Sequence, residues 1–198
     1  MCGRSHDDLA ALAREVPPGC GGVSYLPYLS GERTPNWPHA SGALLGLRPG
    51  SMSPGLLYRA ALEGVTLSLA AGAASMRTLG MHPPNELCIV GGGARSGLWR
   101  QIVADVFQLP VRVVAEAETA ALGAALQGGA SWAGVSVGDF ASEHAGSGTG
   151  ADRGAGDGAR TTRPNAGAAG AYGDALARHS ALGEALFGGT HARMQPFP

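Results

Sequence analysis

Apolar positions along the chain change period several times, and each change marks an element. Leu9, Leu12, Ala13 and Val16 fall at helical spacing, and "VPPG" closes that segment because Pro cannot continue a helix. "GVSYLPYLSGERTPNWPHASGALLGLRPGS" begins with a short apolar run and then carries Pro and Gly too often for long regular structure, which predicts a strand entering an ordered loop. From Ser53 a long helix is predicted, with Ser as N-cap, Pro54 in the first turn and Gly80 as the stop. It is apolar almost all round, so burial against close neighbours is expected. "ELCIV" reads as a strand; after three glycines, Trp99, Ile102, Val103 and Val106 repeat at i, i+3, i+4 and i+7. "PVRVV" reads as a further strand and "ETAALGAALQ" as a small-residue helix with an acidic first turn. Strands alternating with helices imply an α/β layer architecture.

The pattern fails near residue 144, where "HAGSGTGADRGAGDGARTTR" offers almost nothing to bury and a flexible segment is expected. Order is expected to return beyond Pro164, with Tyr172, Leu176, His179, Leu182 and Leu186 at near-helical spacing.

Composition narrows the chemistry. The 198 residues carry a formal charge of -1, so no strong field favours nucleic acid or an anionic membrane. Lys is absent, which removes both a Walker-type phosphate loop and a Schiff-base nucleophile. Cys2, Cys20 and Cys88 lack metal-ligand spacing, and neither zinc nor any other protein-bound metal is expected. Their small, odd number suits a reducing compartment. The N-terminal stretch lacks the apolar core of a secretion signal, and the uncharged run "TAALGAALQGGASWAGVSVG" is too polar for a membrane span. A cytoplasmic location is expected.

Gly91, Gly92 and Gly93 stand between a strand and a helix, where ligand oxygens can approach backbone N–H groups. Such a cluster also arises from tight packing alone. It is not a Rossmann fingerprint, because the spacing differs and no acidic residue ends a second strand. Trp99 reads as core, and Glu63 inside an apolar helix needs a hydrogen-bond partner if buried. Glu32 and Arg33 read either as an ion pair holding their loop or as a sugar or phosphate contact. Asp7, Asp8 and Asp105 are not assigned as bases.

"YLPYLSGERTP", "GALLGL", "LLYRAALEGV", "VGGGARSGLWRQIVADVFQLPV" and "ETAALGAAL", in this order, closely resemble the C-terminal half of the FGGY carbohydrate kinases, nearest to the pentulose branch of xylulokinases and D-ribulose kinases. The resemblance runs from about Leu9 to Gly129 and resumes in Tyr172 to Leu186; Leu56 stands where the family pattern has a polar residue. It implies an actin-like (ribonuclease H-like) C-terminal ATPase domain, partial and without the N-terminal domain. Residues 9–138 would form the nucleotide domain, 139–163 a low-complexity flexible segment, 164–187 the closing helix and 188–198 a tail.

The resemblance also implies ATP with Mg as cosubstrate and a pentulose, D-xylulose or D-ribulose, as acceptor. Gly91, Gly92, Gly93 and Ala94 would admit ribose and phosphates, Arg95 would stack or pair with phosphate, and Ser96 would lie near adenine. Glu118, Ala121, Leu122 and Gly123 would belong to the helix at the interdomain hinge. The catalytic base, the Mg ligands and most sugar contacts would lie in the N-terminal domain, so the chain alone is expected to be inactive. A homodimer and, given an upstream targeting segment, a plastid location are compatible with the same family. A non-catalytic interaction or weak nucleotide-binding module is the alternative reading.

Overall fold

A computed structural model describes residues 3–113, 119–144 and 161–189. The chain opens with helix α1 (His6–Arg14), started by a capping box in which the Ser5 hydroxyl accepts from the Asp8 N–H and the Asp8 carboxylate accepts from the Ser5 N–H. Strands β1 (Ser24–Pro27) and β2 (Gly42–Leu45) pair antiparallel, with Tyr25 opposite Leu44. β2 lies within what the sequence pattern presents as loop; four residues are too few to show a period, and pairing with β1 supplies the order.

Helix α2 (Pro54–Thr78) is capped by the Ser53 hydroxyl, which accepts from the Leu56 N–H. Its buried face carries Ala60, Glu63, Gly64, Leu67 and Ala70. Gly64 permits α2 to lie against β1, since a Cβ there would collide with the Tyr25 carbonyl. The expectation of burial all round fails in its C-terminal part: residues 74–79 are exposed, with Leu79 88% accessible, because among the described residues no element covers that end.

Strand β3 (Leu87–Ile89), helix α3 (Gly97–Phe107) and strand β4 (Val111–Val113) form a strand–helix–strand unit with β3 and β4 parallel. Strand β5 (Thr161–Thr162) then joins β4 antiparallel. Leu87 and Ile89 of β3, Val103 and Ala104 of α3, and Val111 of β4 pack together, with Trp99 and Phe107 against them. A second core joins Ala10 and Ala13 of α1, Leu67 of α2, Leu98 and Ile102 of α3, and Tyr172 and Ala175 of helix α6 (Ala169–Phe187).

The segment expected to be flexible is ordered at both ends. Residues 137–144 form helix α5 (Val137–His144), which packs on helix α4 (Thr119–Ala133). The Ser136 hydroxyl accepts from the Asp139 N–H, and Phe140 stacks on His144 at 3.9 Å between ring centroids. At the other end, Thr161 and Thr162 pair with β4, and just beyond the segment Asp105 accepts from the Asn165 N–H at 2.7 Å. Residues 145–160 lie outside the described residues.

α6 buries Tyr172, Ala175, His179, Gly183 and Phe187, whereas Leu186 is 42% exposed. The core face is therefore set one position beyond the Leu182–Leu186 stripe, because the Trp37 indole lies directly over Gly183. Among the described residues no helix is long and apolar enough to cross a membrane.

Candidate nucleotide cleft

The glycines lead from β3 into a 3₁₀ turn over Gly92–Arg95 and then into α3. Each has a different reason to be glycine. Gly91 has φ of 82°, in the left-handed region that disfavours side chains. At Gly93 a Cβ would stand 2.6 Å from Cζ3 of Trp99, so an indole of the chain itself fills that space. At Gly92 a Cβ would meet nothing within 4 Å, and φ is not positive. Of the three, Gly92 is the position where fold and backbone leave the absence of a side chain unexplained.

Gly92 and Gly93 border a cleft of about 660 Å³. One wall is a face of α1, with His6, Asp7, Ala10 and Arg14; a second is a face of α2, with Tyr58, Leu62 and Val65. The third comprises Arg95, Ser96, Gly97 and Trp99 beyond the glycines. Apolar side chains thus supply flat walls, and polar and charged groups stand among them. Gly91 and Ala94 do not line the cleft: Ala94 is 3% exposed and points into the interior.

Several groups are fixed in place. The Ser96 hydroxyl accepts from the Trp99 N–H at 3.2 Å, capping α3. The Trp99 indole N–H donates to Thr66 Oγ1 at 3.1 Å, tying the cleft wall to α2. Arg100 Nη1 donates to the Ala94 carbonyl at 2.7 Å and so holds the turn. The Tyr58 hydroxyl lies 3.4 Å from Nδ1 of His6 across the α1–α2 junction.

Behind these walls sits a buried polar cluster. Arg59 Nε donates to Glu63 Oε1 at 2.7 Å, and that oxygen also accepts from the Tyr172 hydroxyl at 3.0 Å and the Gly19 N–H at 3.3 Å. Arg59 Nη1 reaches the Ala13 carbonyl of α1 at 3.2 Å, and Nη2 the Tyr172 oxygen at 2.9 Å. Burial, reinforced by the Glu63 charge, pushes the Tyr172 hydroxyl and the Cys20 thiol well above their usual ranges, so both stay protonated.

Other sequence expectations fall elsewhere. Glu32 forms no ion pair with Arg33; its Oε1 accepts from the backbone N–H groups of Arg33 at 2.7 Å and Thr34 at 3.1 Å, since those donors are nearer than the adjacent guanidinium. Neither residue lines the cleft. Ala121, Leu122 and Gly123 sit on α4, with Ala121 and Leu122 exposed, away from the cleft lining; Glu118 lies outside the described residues. His6, Arg14, Tyr58 and Arg100 were not singled out from the sequence. The signal for the first two was present, because His6, Ala10 and Arg14 lie at i, i+4 and i+8 on one helix face.

Fold and cleft together define an α/β domain of the actin-like ATPase fold. Residues 3–132 match the FGGY family of carbohydrate kinases, C-terminal domain, and the chain belongs to that family. It is 38% identical over 127 residues to the xylulose kinase of Haemophilus influenzae, covering 64% of this chain and 25% of that protein. It is also 37% identical over 124 residues to the gluconokinase of Bacillus licheniformis, covering 62% and 24%. The crystal structure of xylulose kinase from Rhodospirillum rubrum superposes with a TM-score of 0.70 at 32% identity, over 91% of this chain and 33% of that one. The chain spans about a quarter of the length of the relatives it matches in sequence.

Proposed function

We propose that the chain forms the nucleotide-binding portion of an ATP-dependent pentulose kinase of the xylulose kinase type, which phosphorylates a sugar hydroxyl. The observation that carries this reading is Gly92: it opens without strain onto a cleft between α1, α2 and α3 in a member of the carbohydrate kinase family. Phosphoryl transfer asks little covalent chemistry of a protein and much positioning. Here the adenosine end of ATP lies between Trp99 and the Ala10, Leu62 and Val65 side chains. Ribose and phosphates pass over Gly92 and Gly93, with Arg95 free to pair with phosphate and the Ser96 hydroxyl still able to donate to a base edge.

Among the described residues no group of three or more His, Cys, Asp or Glu is arranged to hold a metal, so no step is assigned through magnesium. The base for the sugar hydroxyl is assigned to none of these residues. The acceptor is a pentulose, D-xylulose or D-ribulose, on the strength of the xylulose kinase relatives. Ala121, Leu122 and Gly123 of α4 serve as a surface on which two domains of the complete enzyme slide. A second reading, an interaction module, is favoured by α4 itself, which carries no charged residue and is largely exposed.

Calorimetric titration of the chain with ATP and with adenosine tests the assignment. In Gly92→Val the side chain enters the cleft and not the core, so ATP affinity falls at least about tenfold, the equivalent of about 1.4 kcal/mol, while the thermal melt is retained. Undiminished affinity in a folded Gly92→Val chain refutes the cleft as the ATP site. In a coupled assay with D-xylulose or D-ribulose the 198-residue chain shows no turnover; robust turnover refutes the placement of the base.

A further inference from the structure

We propose that Arg14 and Arg100 form a subsite for a phosphate group at the rim of the cleft, an assignment that stands beside the nucleotide reading and does not depend on it. Arg14 comes from the last turn of α1 and Arg100 from α3. Their Nη2 atoms lie 4.0 Å and 3.6 Å from the point where a Gly97 Cβ would stand. Both nitrogens therefore lie within 4.0 Å of one point beside Gly97, where a single phosphate can be offered charge-assisted bonds from both guanidinium groups. Gly97 has no positive φ that would require glycine, and its missing side chain leaves the space open.

The like-charge pair, more than the helix end it borders, makes the site. Neither Arg14, Arg95 nor Arg100 forms an ion pair among the described residues; the two ion pairs present use Arg59 and Arg112. Guanidinium groups brought together without an acid repel one another, and free surface arginines relieve this by swinging apart. Arg100 has little such freedom, because its Nη1 is held by the Ala94 and Arg95 carbonyls at 2.7 and 3.4 Å. Arg95, exposed on the same cleft, adds a third positive charge. Of the nearby acids on α1, Asp7 is about two turns from Arg14, and the Asp8 carboxylate is bound by Ser5. A phosphate turns this repulsion into attraction, and the planar guanidinium forks match its oxygens.

The phosphate has two possible sources, the nucleotide in the cleft or a second phosphorylated small molecule at its rim. The test uses the whole 198-residue chain, with the arginine side-chain N–H resonances followed by NMR during titration with inorganic phosphate, adenosine and ATP. Phosphate is expected to shift the Arg14 and Arg100 signals saturably. Arg14→Gln, at an exposed position, weakens phosphate binding at least about tenfold, whereas Arg77→Gln, on the exposed end of α2, leaves it unchanged. If the nucleotide is the source, phosphate competes with ATP and Arg14→Gln weakens ATP but not adenosine. If a second molecule is the source, phosphate and ATP bind together. Absence of a saturable shift, or equal phosphate affinity in Arg14→Gln, overturns the proposal. Adenosine binding is read separately, so failure of the nucleotide reading leaves this result interpretable.

Discussion

Replacing Tyr172 by Phe removes one oxygen from the interior and leaves the ring to pack as before. Tyr172 is 1% exposed, and its hydroxyl accepts from Arg59 Nη2 at 2.9 Å while donating to Glu63 Oε1 at 3.0 Å. Both partners are charged, and hydrogen bonds to charged groups contribute about 1.5–3 kcal/mol each. The two bonds belong to one cluster and do not add fully, and the direct Arg59–Glu63 contact at 2.7 Å survives. The expected loss is about 2–4 kcal/mol, intermediate between one bond and the sum of two. With a urea m-value of about 2 kcal/mol/M, the midpoint falls by about 1–2 M at unchanged m. Urea titration followed by far-UV circular dichroism measures it. Glu63→Gln is expected to cost more, about 3–5 kcal/mol, because it leaves the Arg59 charge buried and unpaired. A Tyr172→Phe loss below about 0.5 kcal/mol, under the usual worth of a neutral hydrogen bond, refutes the view that this hydroxyl holds the cluster together.

Two further outcomes separate packing from ligand effects. Gly93→Val places its Cβ 2.6 Å from the Trp99 ring, so it lowers the thermal melt by an overpacking cost of about 1–3 kcal/mol, and an unchanged melt refutes this account. His179 is buried beside Tyr28 and Ser68, and desolvation lowers its imidazole from 6.5 to about 4. Between those values the unfolded chain binds the proton and the folded chain does not. The stability contribution is therefore full above pH 6.5 and is lost as the pH falls towards about 4. The urea midpoint should drop more steeply over that window in the native chain than in His179→Gln; equal slopes refute the assignment.

Elements with a cap and a long period were legible in the sequence. Ser53 and Pro54 start α2 where the pattern places it, and the repeat through Trp99, Ile102, Val103 and Val106 is α3. The elements that escaped are short: β2 and β5 have four and two residues, and partners distant in sequence order them. α5 escaped because it has no buried residue and so no apolar period to read. The glycine loop was visible for the same reason that it was ambiguous. Spacing shows that Gly92 and Gly93 lack side chains, but only the packed structure separates the one that faces Trp99 from the one that faces open space. Likewise, helical spacing assigns His6 and Arg14 to one face of α1 without saying that this face meets a turn more than 75 residues away in the sequence.

The buried cluster and the cleft are parts of one arrangement. Arg59 joins three helices: it belongs to α2, donates to the Ala13 carbonyl of α1, and is held from α6 by Tyr172. The same helix α1 carries the His6, Ala10 and Arg14 wall of the cleft. Thr66 of α2, less than two turns beyond Glu63, receives the Trp99 indole N–H that forms the facing wall. The width of the cleft is thus set by polar contacts in the interior as well as by the residues that line it. α6 lies near the C-terminal end of the described chain and contributes no lining residue, yet it supports the cleft by fixing the guanidinium that spaces α1 from α2. A buried ion pair is a weak source of stability when its desolvation is counted. Its use here is positional: a guanidinium with three separately directed donors holds three helices in register, which an apolar side chain of the same volume would not do.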